Sequence, residues 1–411
     1  MALSRLNLFA LKFSKVLGNK NFMEKAYWLA WSKVNGIGST LLKRIEQKFG
    51  SLETAWSLPA SDLQTVDGLG NITVEGIIAS RRDISPLALF AEYEQKNRAF
   101  WTPADPEYPK LLWEIPDPPP ILCHRGNLTT WLERSTVSIV GTRNPTVYGR
   151  RWAKKISIAL AENGFTVVSG LADGIDAEAH KGCLEAGGNT IAVVGTGVDL
   201  VYPSKHQALY QQILQSGLVL SEYPDGTGPD RTHFPQRNRI IAGLCRATIV
   251  IEAPDRSGAL ITAHQANDYG RDVFALPGSL DVKESSGCHS LISRGAGIIM
   301  GIDELIESLG TMPSLDRGRL SEKLSEKSPA KNRSTNQTVN QTPSQISIPL
   351  DDLAPIQQKI LNLLSFSESI GFDRIIEQAN FPAGEVSGAL LQLELLGAIS
   401  QSPGMRYQRL I

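Results

Sequence analysis

The sequence predicts a doubly wound, Rossmann-like parallel α/β sheet at the centre of the chain. A helical domain of the helix-hairpin-helix (SAM-like) type precedes it and a winged helix follows it. Three observations carry this. Between residues 135 and 310, β-branched apolar runs alternate with helical stretches. Ahead of them, two phrases share an apolar-x-Gly-apolar-Gly layout, and behind them three helical pieces lead into a short wing-like tail.

The chain has 411 residues, 42% of them hydrophobic, and a formal net charge of −1. Roughly two to four domains of about 100–200 residues follow from that length. The charge excludes a globally basic protein, so any anion site must be local. Cys123, Cys183, Cys245 and Cys288 form no CxxC and no metal-ligand spacing. No metal centre and no disulfide scaffold is expected, and a reducing, cytoplasmic setting fits. No apolar run reaches the ~20 residues that span a bilayer, so no membrane partner is expected.

Residues 1–25 read as an extension, disordered or upstream of the true start. Arg5, Lys12, Lys15 and Lys20 interrupt its apolar part without a single acid before residue 23, where Met23 offers an alternative initiation site. Residues 26–95 read as the helical domain. Its two phrases, "VNGIGSTLLKRI" (34–45) and "VDGLGNITVEGII" (66–78), each place two glycines before a helix. Such hairpins turn N–H groups outward and can grip a phosphate, or they can simply close a compact domain around Trp28, Trp31 and Trp56. Asp67 and Glu75 weigh against anion binding at the second hairpin.

The 96–310 core opens with a strap over 96–134, whose prolines forbid a long helix and predict an extended connector. Six apolar runs then predict buried strands at 136–142, 166–170, 190–197, 218–222, 247–253 and 272–278. Residues 311–352, rich in Ser, Lys, Asn, Thr and Gln, predict a flexible tether with little to bury. Residues 353–411 predict the winged helix. Its recognition helix, 384–396, carries Glu385 and Glu394 but no Lys or Arg, which disfavours base reading in a major groove.

Ligands of doubly wound sheets collect at the carboxyl ends of the strands. There the first run ends in Gly141, Thr142 and Arg143, ahead of a helix start near Pro145 that can hold a phosphate. The second ends in Gly170, with Asp173 and Asp176 expected to cap the helix carrying His180, which reads as structural. The third, "GTGVDLVYPSKH", lacks the full GxGxxG fingerprint, since Leu200 stands where the third glycine belongs, so no dinucleotide cofactor is expected. Lys205 is a second phosphate candidate. Ser257, Gly258 and Thr262 offer hydroxyl and N–H groups at another helix start. In "HFPQRNRIIAGL" (233–244), taken as a loop entering a strand, Arg237, Asn238 and Arg239 lie beside Ile240, Ile241 and Gly243. Guanidiniums cannot shed their charge, so something must neutralise these two. A groove holding Arg143, Lys205, Arg237 and Arg239 suits an extended polyanion.

In "SIVGTRNPTVYG", "VVSGLADGIDAEAH", "TIAVVGTGVDLVYP", "LVLSEYPDGT", "FPQRNRIIAGL", "RSGALITAHQA" and "GRDVFALPG", the chain resembles the DNA-processing protein A (DprA, or Smf) family of bacteria. These phrases run in family order across residues 105–300. One departure is His289 in "GCHSLI", where the family usually has Asn. The resemblance implies a single-stranded DNA binder that protects incoming strands in natural transformation and helps load the RecA recombinase. It also implies a homodimer through the α/β domain, no catalytic residue, and DNA contacts at Arg143 and at the arginines of "FPQRNR". One of those two arginines can instead sit in a scaffold ion pair. Two other readings stay open: nucleotide hydrolysis, with Glu252 or Asp176 activating water, and a pure recombination scaffold that binds partners without DNA.

Overall fold

The computed structural model describes residues 20–96, 98–127, 135–310, 354–365, 370–379, 381–395, 398–402 and 406–409. Residues 1–19 of the extension and the tether expected over 311–352 lie outside them.

The first helices are α1 (Lys20–Trp31), α2 (Ser39–Phe49), α3 (Leu52–Ser57), α4 (Ala60–Leu63), α5 (Asn71–Asp83) and α6 (Pro86–Gln95). The repeated phrases do the same thing twice. Gly36 and Gly68 take left-handed φ values of 81° and 88°, and Gly38 and Gly70 are the extended N-caps of α2 and α5. Trp28 and Trp31 are buried; Trp31 meets Trp56 edge-on at 5.2 Å and donates its Nε1–H to the Leu52 carbonyl at 3.1 Å. Asp67 accepts an ion pair from Arg44 at 3.2 Å.

The central sheet carries β1 (Phe100–Trp101), β2 (Leu122–Gly126), β3 (Thr136–Gly141), β4 (Thr166–Ser169), β5 (Thr190–Val193), β6 (Leu218–Ser221), β7 (Ala247–Ile251), β8 (Asp272–Ala275) and β9 (Gly297–Ile298). Their order is β1-β2-β6-β5-β4-β3-β7-β8-β9. From β6 to β9 every pairing is parallel. Each of the six predicted runs contains one of these strands, and β3 through β7 are buried on both faces, as continuous β-branched runs require. The strap does more than connect: β2 pairs antiparallel with β6, matching Cys123 to Ser221, and Trp101 and Leu122 join the core.

The helices between the strands are α7 (Lys110–Glu114), α8 (Val147–Glu162), α9 (Ile175–Glu185), α10 (Gln207–Ser216), α11 (His233–Leu244), α12 (Gly258–Asp268) and α13 (Ser286–Ser293), and α14 (Ile302–Gly310) follows the last strand. The chain reverses direction across the sheet at β3, which has β4 on one side and β7 on the other. That is the switch point at which the carboxyl ends of neighbouring strands diverge and leave a crevice.

His180 on α9 is scaffold. Thr190 Oγ1 donates to the Val167 carbonyl at 2.8 Å, so it accepts from His180 Nδ1–H at 2.7 Å and leaves the buried Nε2 without a partner. Burial lowers the His180 pKa to about 3. The ring is therefore neutral in the fold and protonates first in the unfolded chain. Its contribution is intact above the unfolded value of about 6.5 and is lost as pH falls toward 3, at about 1.4 kcal/mol per pH unit. Urea unfolding at stepped pH should show this loss, and His180→Gln should flatten it.

The second compact unit contains α15 (Pro355–Leu363), β10 (Ile370–Gly371), α16 (Phe372–Ala379), α17 (Ala383–Leu395), β11 (Ile399–Ser402) and β12 (Arg406–Arg409). Its sheet runs β10-β12-β11. Ile360, Ile375, Val386, Leu390 and Ile399 fill its core, which is the three-helix-and-wing plan read from the sequence.

Candidate nucleic-acid interface

At the switch point the loops after β3, β4 and β7 and the start of α11 enclose an open cleft of about 650 Å³. Gly141 ends β3 because nothing larger fits: an added Cβ would lie 2.0 Å from the Ile251 carbonyl oxygen. Thr146 then caps α8, its hydroxyl accepting from Gly149 N–H at 3.2 Å. On the far wall Ser257 caps α12, accepting from Ala259 N–H at 3.3 Å. The first turns of α11 (Phe234, Pro235) and α12 (Gly258, Ala259) thus border one crevice, and a helix start carries a partial positive charge; Thr146 at the start of α8 lines a separate pocket with Glu252.

Arg143, Arg231 and Phe234 line the cleft together with Tyr202, Arg237 and Asn238. Arg143 is exposed, and its guanidinium lies 5.4 Å from the centre of the Phe234 ring. The Tyr202 and Phe234 rings are 5.6 Å apart at 31°. Among the described residues, Arg143 and Arg231 form no ion pair with a carboxylate. This pair of uncompensated guanidiniums beside two aromatic rings suits a nucleic-acid strand, whose phosphates take the cations and whose bases can stack.

The stretch 233–244 is a helix, α11, and not a loop entering a strand. Pro235 is tolerated because it stands in the first turn, where its missing N–H has no intrahelical partner. The helix resolves the two buried arginines differently. Arg237 is 4% exposed; its Nη1 donates to the Gly170 carbonyl at 2.7 Å and also to the Val193 carbonyl. Its Nε donates to Asn238 Oδ1 at 3.2 Å. It therefore ties together the carboxyl ends of β4 and β5. Burial lowers its pKa to about 10, offset in part by the Asp176 charge, so it stays cationic at neutral pH. Arg239 faces away from the cleft. Its Nη2 donates to Glu222 Oε2 at 2.5 Å, and its Nε lies 3.3 Å from Asp117 Oδ2 of the strap. It is the scaffold ion pair.

Of the other residues read from the sequence, Gly141, Asn238, Ser257, Gly258 and Thr262 line the cleft. Asn238 braces it by donating Nδ2–H to the Gly258 carbonyl at 3.1 Å, and Thr262 is a buried part of its wall. Three do not line it. Thr142 is consumed by the scaffold, its N–H donating to the Glu252 carbonyl at 2.6 Å. Gly170 lies behind Arg237, where an added Cβ would fall 2.5 Å from Nη1. Lys205 is already neutralised by Asp173 at 2.9 Å, because Asp173 does not cap α9 as expected; its N-cap is Gly174.

The two carboxylates considered for water activation are both occupied. Asp176 accepts from the N–H groups of Gly170 at 3.1 Å and Ala172 at 3.4 Å. Burial raises its pKa while the Arg237 charge lowers it. Glu252 accepts from Thr146 N–H at 2.7 Å and from the Thr146 hydroxyl, fixing the start of α8. Arg231, Phe234 and Tyr202 are cleft residues that the sequence reading missed. Phe234 opens "FPQRNR" and Arg231 stands three residues ahead of it, and both became visible only when the fold set them in one cleft with Arg143.

Comparison with known proteins places this arrangement. Residues 99–310 match the family described as DNA recombination-mediator protein A, and residues 347–405 match the DprA winged helix domain. Protein Smf of Synechocystis sp. is 49% identical over 394 residues, 94% of this chain and 99% of its own. DNA processing protein DprA of Streptococcus pneumoniae is 49% identical over 201 residues, 49% of this chain and 71% of its own. The X-ray structure of DprA from the same species superposes with a TM-score of 0.61 at 38% identity, covering 69% of this chain and 97% of that one. The match spans the sheet, the switch-point cleft and the winged helix, and on it this chain belongs to the DNA-processing protein A (DprA/Smf) family.

Proposed function

We propose that this protein binds single-stranded DNA without strong sequence preference in the switch-point cleft, protects it, and helps load RecA recombinase during natural transformation. The observation that carries this reading is the pairing of two uncompensated guanidiniums, Arg143 and Arg231, with the Tyr202 and Phe234 rings beside the start of α12. Backbone phosphates take the guanidiniums and N–H groups, and a base stacks on the rings. In this reading Arg143, Arg231, Asn238, Ser257 and Gly258 meet the strand, Gly141 permits its approach, and Arg237 holds the floor.

No chemical step belongs to this reading, and the use of Asp176 and Glu252 as backbone acceptors supports that. The RecA partner and a homodimer through the sheet domain are parts of this proposal. Ile298 and Met300, exposed on and beside the edge strand β9, suit such a pairing. Among the described residues no helix is long and apolar enough to cross a membrane.

A salt titration tests the binding mode. With a labelled oligo-dT, the logarithm of the association constant should fall linearly with log salt, at about −0.7 for each phosphate neutralised. A flat dependence would remove phosphate contacts from the account.

A further inference from the structure

Helix α8 carries a charge pattern that its own stability opposes. Its four basic residues, Arg150, Arg151, Lys154 and Lys155, all fall within the first nine positions; its last turn has none and its first turn has no acid. A helix dipole favours the reverse, anions near the start and cations near the end. An arrangement that conflicts with local preference points to a use outside the helix.

The four cations separate into two pairs. Arg150 lies 3.9 Å from Glu178 and Lys154 lies 2.6 Å from Glu185, so both are compensated by α9. Arg151 and Lys155 are exposed and make no ion pair among the described residues. Each instead stands over a ring: Arg151 at 5.8 Å from Tyr148 and Lys155 at 5.7 Å from Trp152. Being four residues apart, they share one helix face with a rise of about 6 Å between them. Val147, 84% exposed, adds an apolar step at the helix start. Thr146, the N-cap, is three residues from Arg143 of the cleft.

We propose that the single strand does not end at the cleft but continues along this face of α8, with Arg151 and Lys155 each taking a phosphate and the partly buried Tyr148 and Trp152 rings holding the two cations in place. The proposal rests on the cleft reading and extends it from one subsite to a path. It makes affinity depend on strand length.

The test uses the full chain and two labelled oligo-dT probes, about 6 and about 20 nucleotides long, the first sized for the cleft alone. Arg151→Ala/Lys155→Ala should leave the short probe's affinity within twofold of wild type and weaken the long probe about tenfold. Its salt slope on the long probe should become shallower by about 1.4, two phosphates' worth. Arg150→Ala/Lys154→Ala, removing the compensated pair, should change the long probe less than threefold. Unchanged long-probe binding by Arg151→Ala/Lys155→Ala, or equal losses on both probes, would overturn the path. Failure of the cleft reading registers separately, as undiminished short-probe binding by Arg143→Ala/Arg231→Ala.

Discussion

Arg237→Ala should lose about 3–5 kcal/mol of stability, enough to unfold much of a domain whose whole margin is about 5–15 kcal/mol. The guanidinium joins the Gly170 and Val193 carbonyls and opposes Asp176, which is 7% exposed. Its removal leaves that carboxylate buried without a counter-charge and two strand-end carbonyls short of a donor. Arg237→Lys should recover part of the loss, because an ammonium restores the charge but not the planar fork. Urea denaturation reads both variants. Full stability in Arg237→Ala would mean that the buried cation is dispensable to the sheet. Loss of DNA binding by an Arg237 or Arg239 variant therefore says nothing about contact unless folding is measured alongside it.

Arg143→Ala/Arg231→Ala should behave oppositely. Both side chains are exposed and form no ion pair among the described residues, so stability should stay within about 0.5 kcal/mol of wild type. Two charge-assisted phosphate contacts together contribute about 2–3 kcal/mol, which is roughly a 100-fold loss of affinity for oligo-dT. The salt slope should flatten by about 1.4. Circular dichroism and fluorescence anisotropy on the same samples separate this outcome from unfolding. A folded double variant that binds like wild type would move the DNA site elsewhere.

The strands of the sheet were legible because burial on both faces demands uninterrupted β-branched runs, and these are visible without any partner. The hairpins were legible because Gly36 and Gly68 stand where the backbone must take a left-handed φ. Helix α11 was not. Its inward face is Arg237, Ile240, Ile241 and Leu244, the i, i+3, i+4, i+7 spacing of an amphipathic helix. The pattern was hidden because its first buried position is an arginine, which hydropathy scores as surface. The same substitution of charge for apolar burial concealed which arginine was free. Sequence shows that two guanidiniums need neutralising; only the fold shows that carbonyls and Asp176 serve Arg237, and that Glu222 and Asp117 serve Arg239. Arg231 and Phe234 escaped notice because nothing about their types marks them until Arg143 lies across the ring. The antiparallel strand β2 was obscured by the prolines around it, which argue against a helix but not against an edge strand.

The most direct measurement is photo-crosslinking of full-length protein to oligo-dT bearing 5-iodouracil, followed by peptide mapping. A base stacked in the cleft places the photoreactive carbon against an aromatic ring, so the adducts should fall on Tyr202 and Phe234. Adducts confined to residues 39–83 or 354–409 would contradict the account, and the hairpins or the winged helix would then carry the strand.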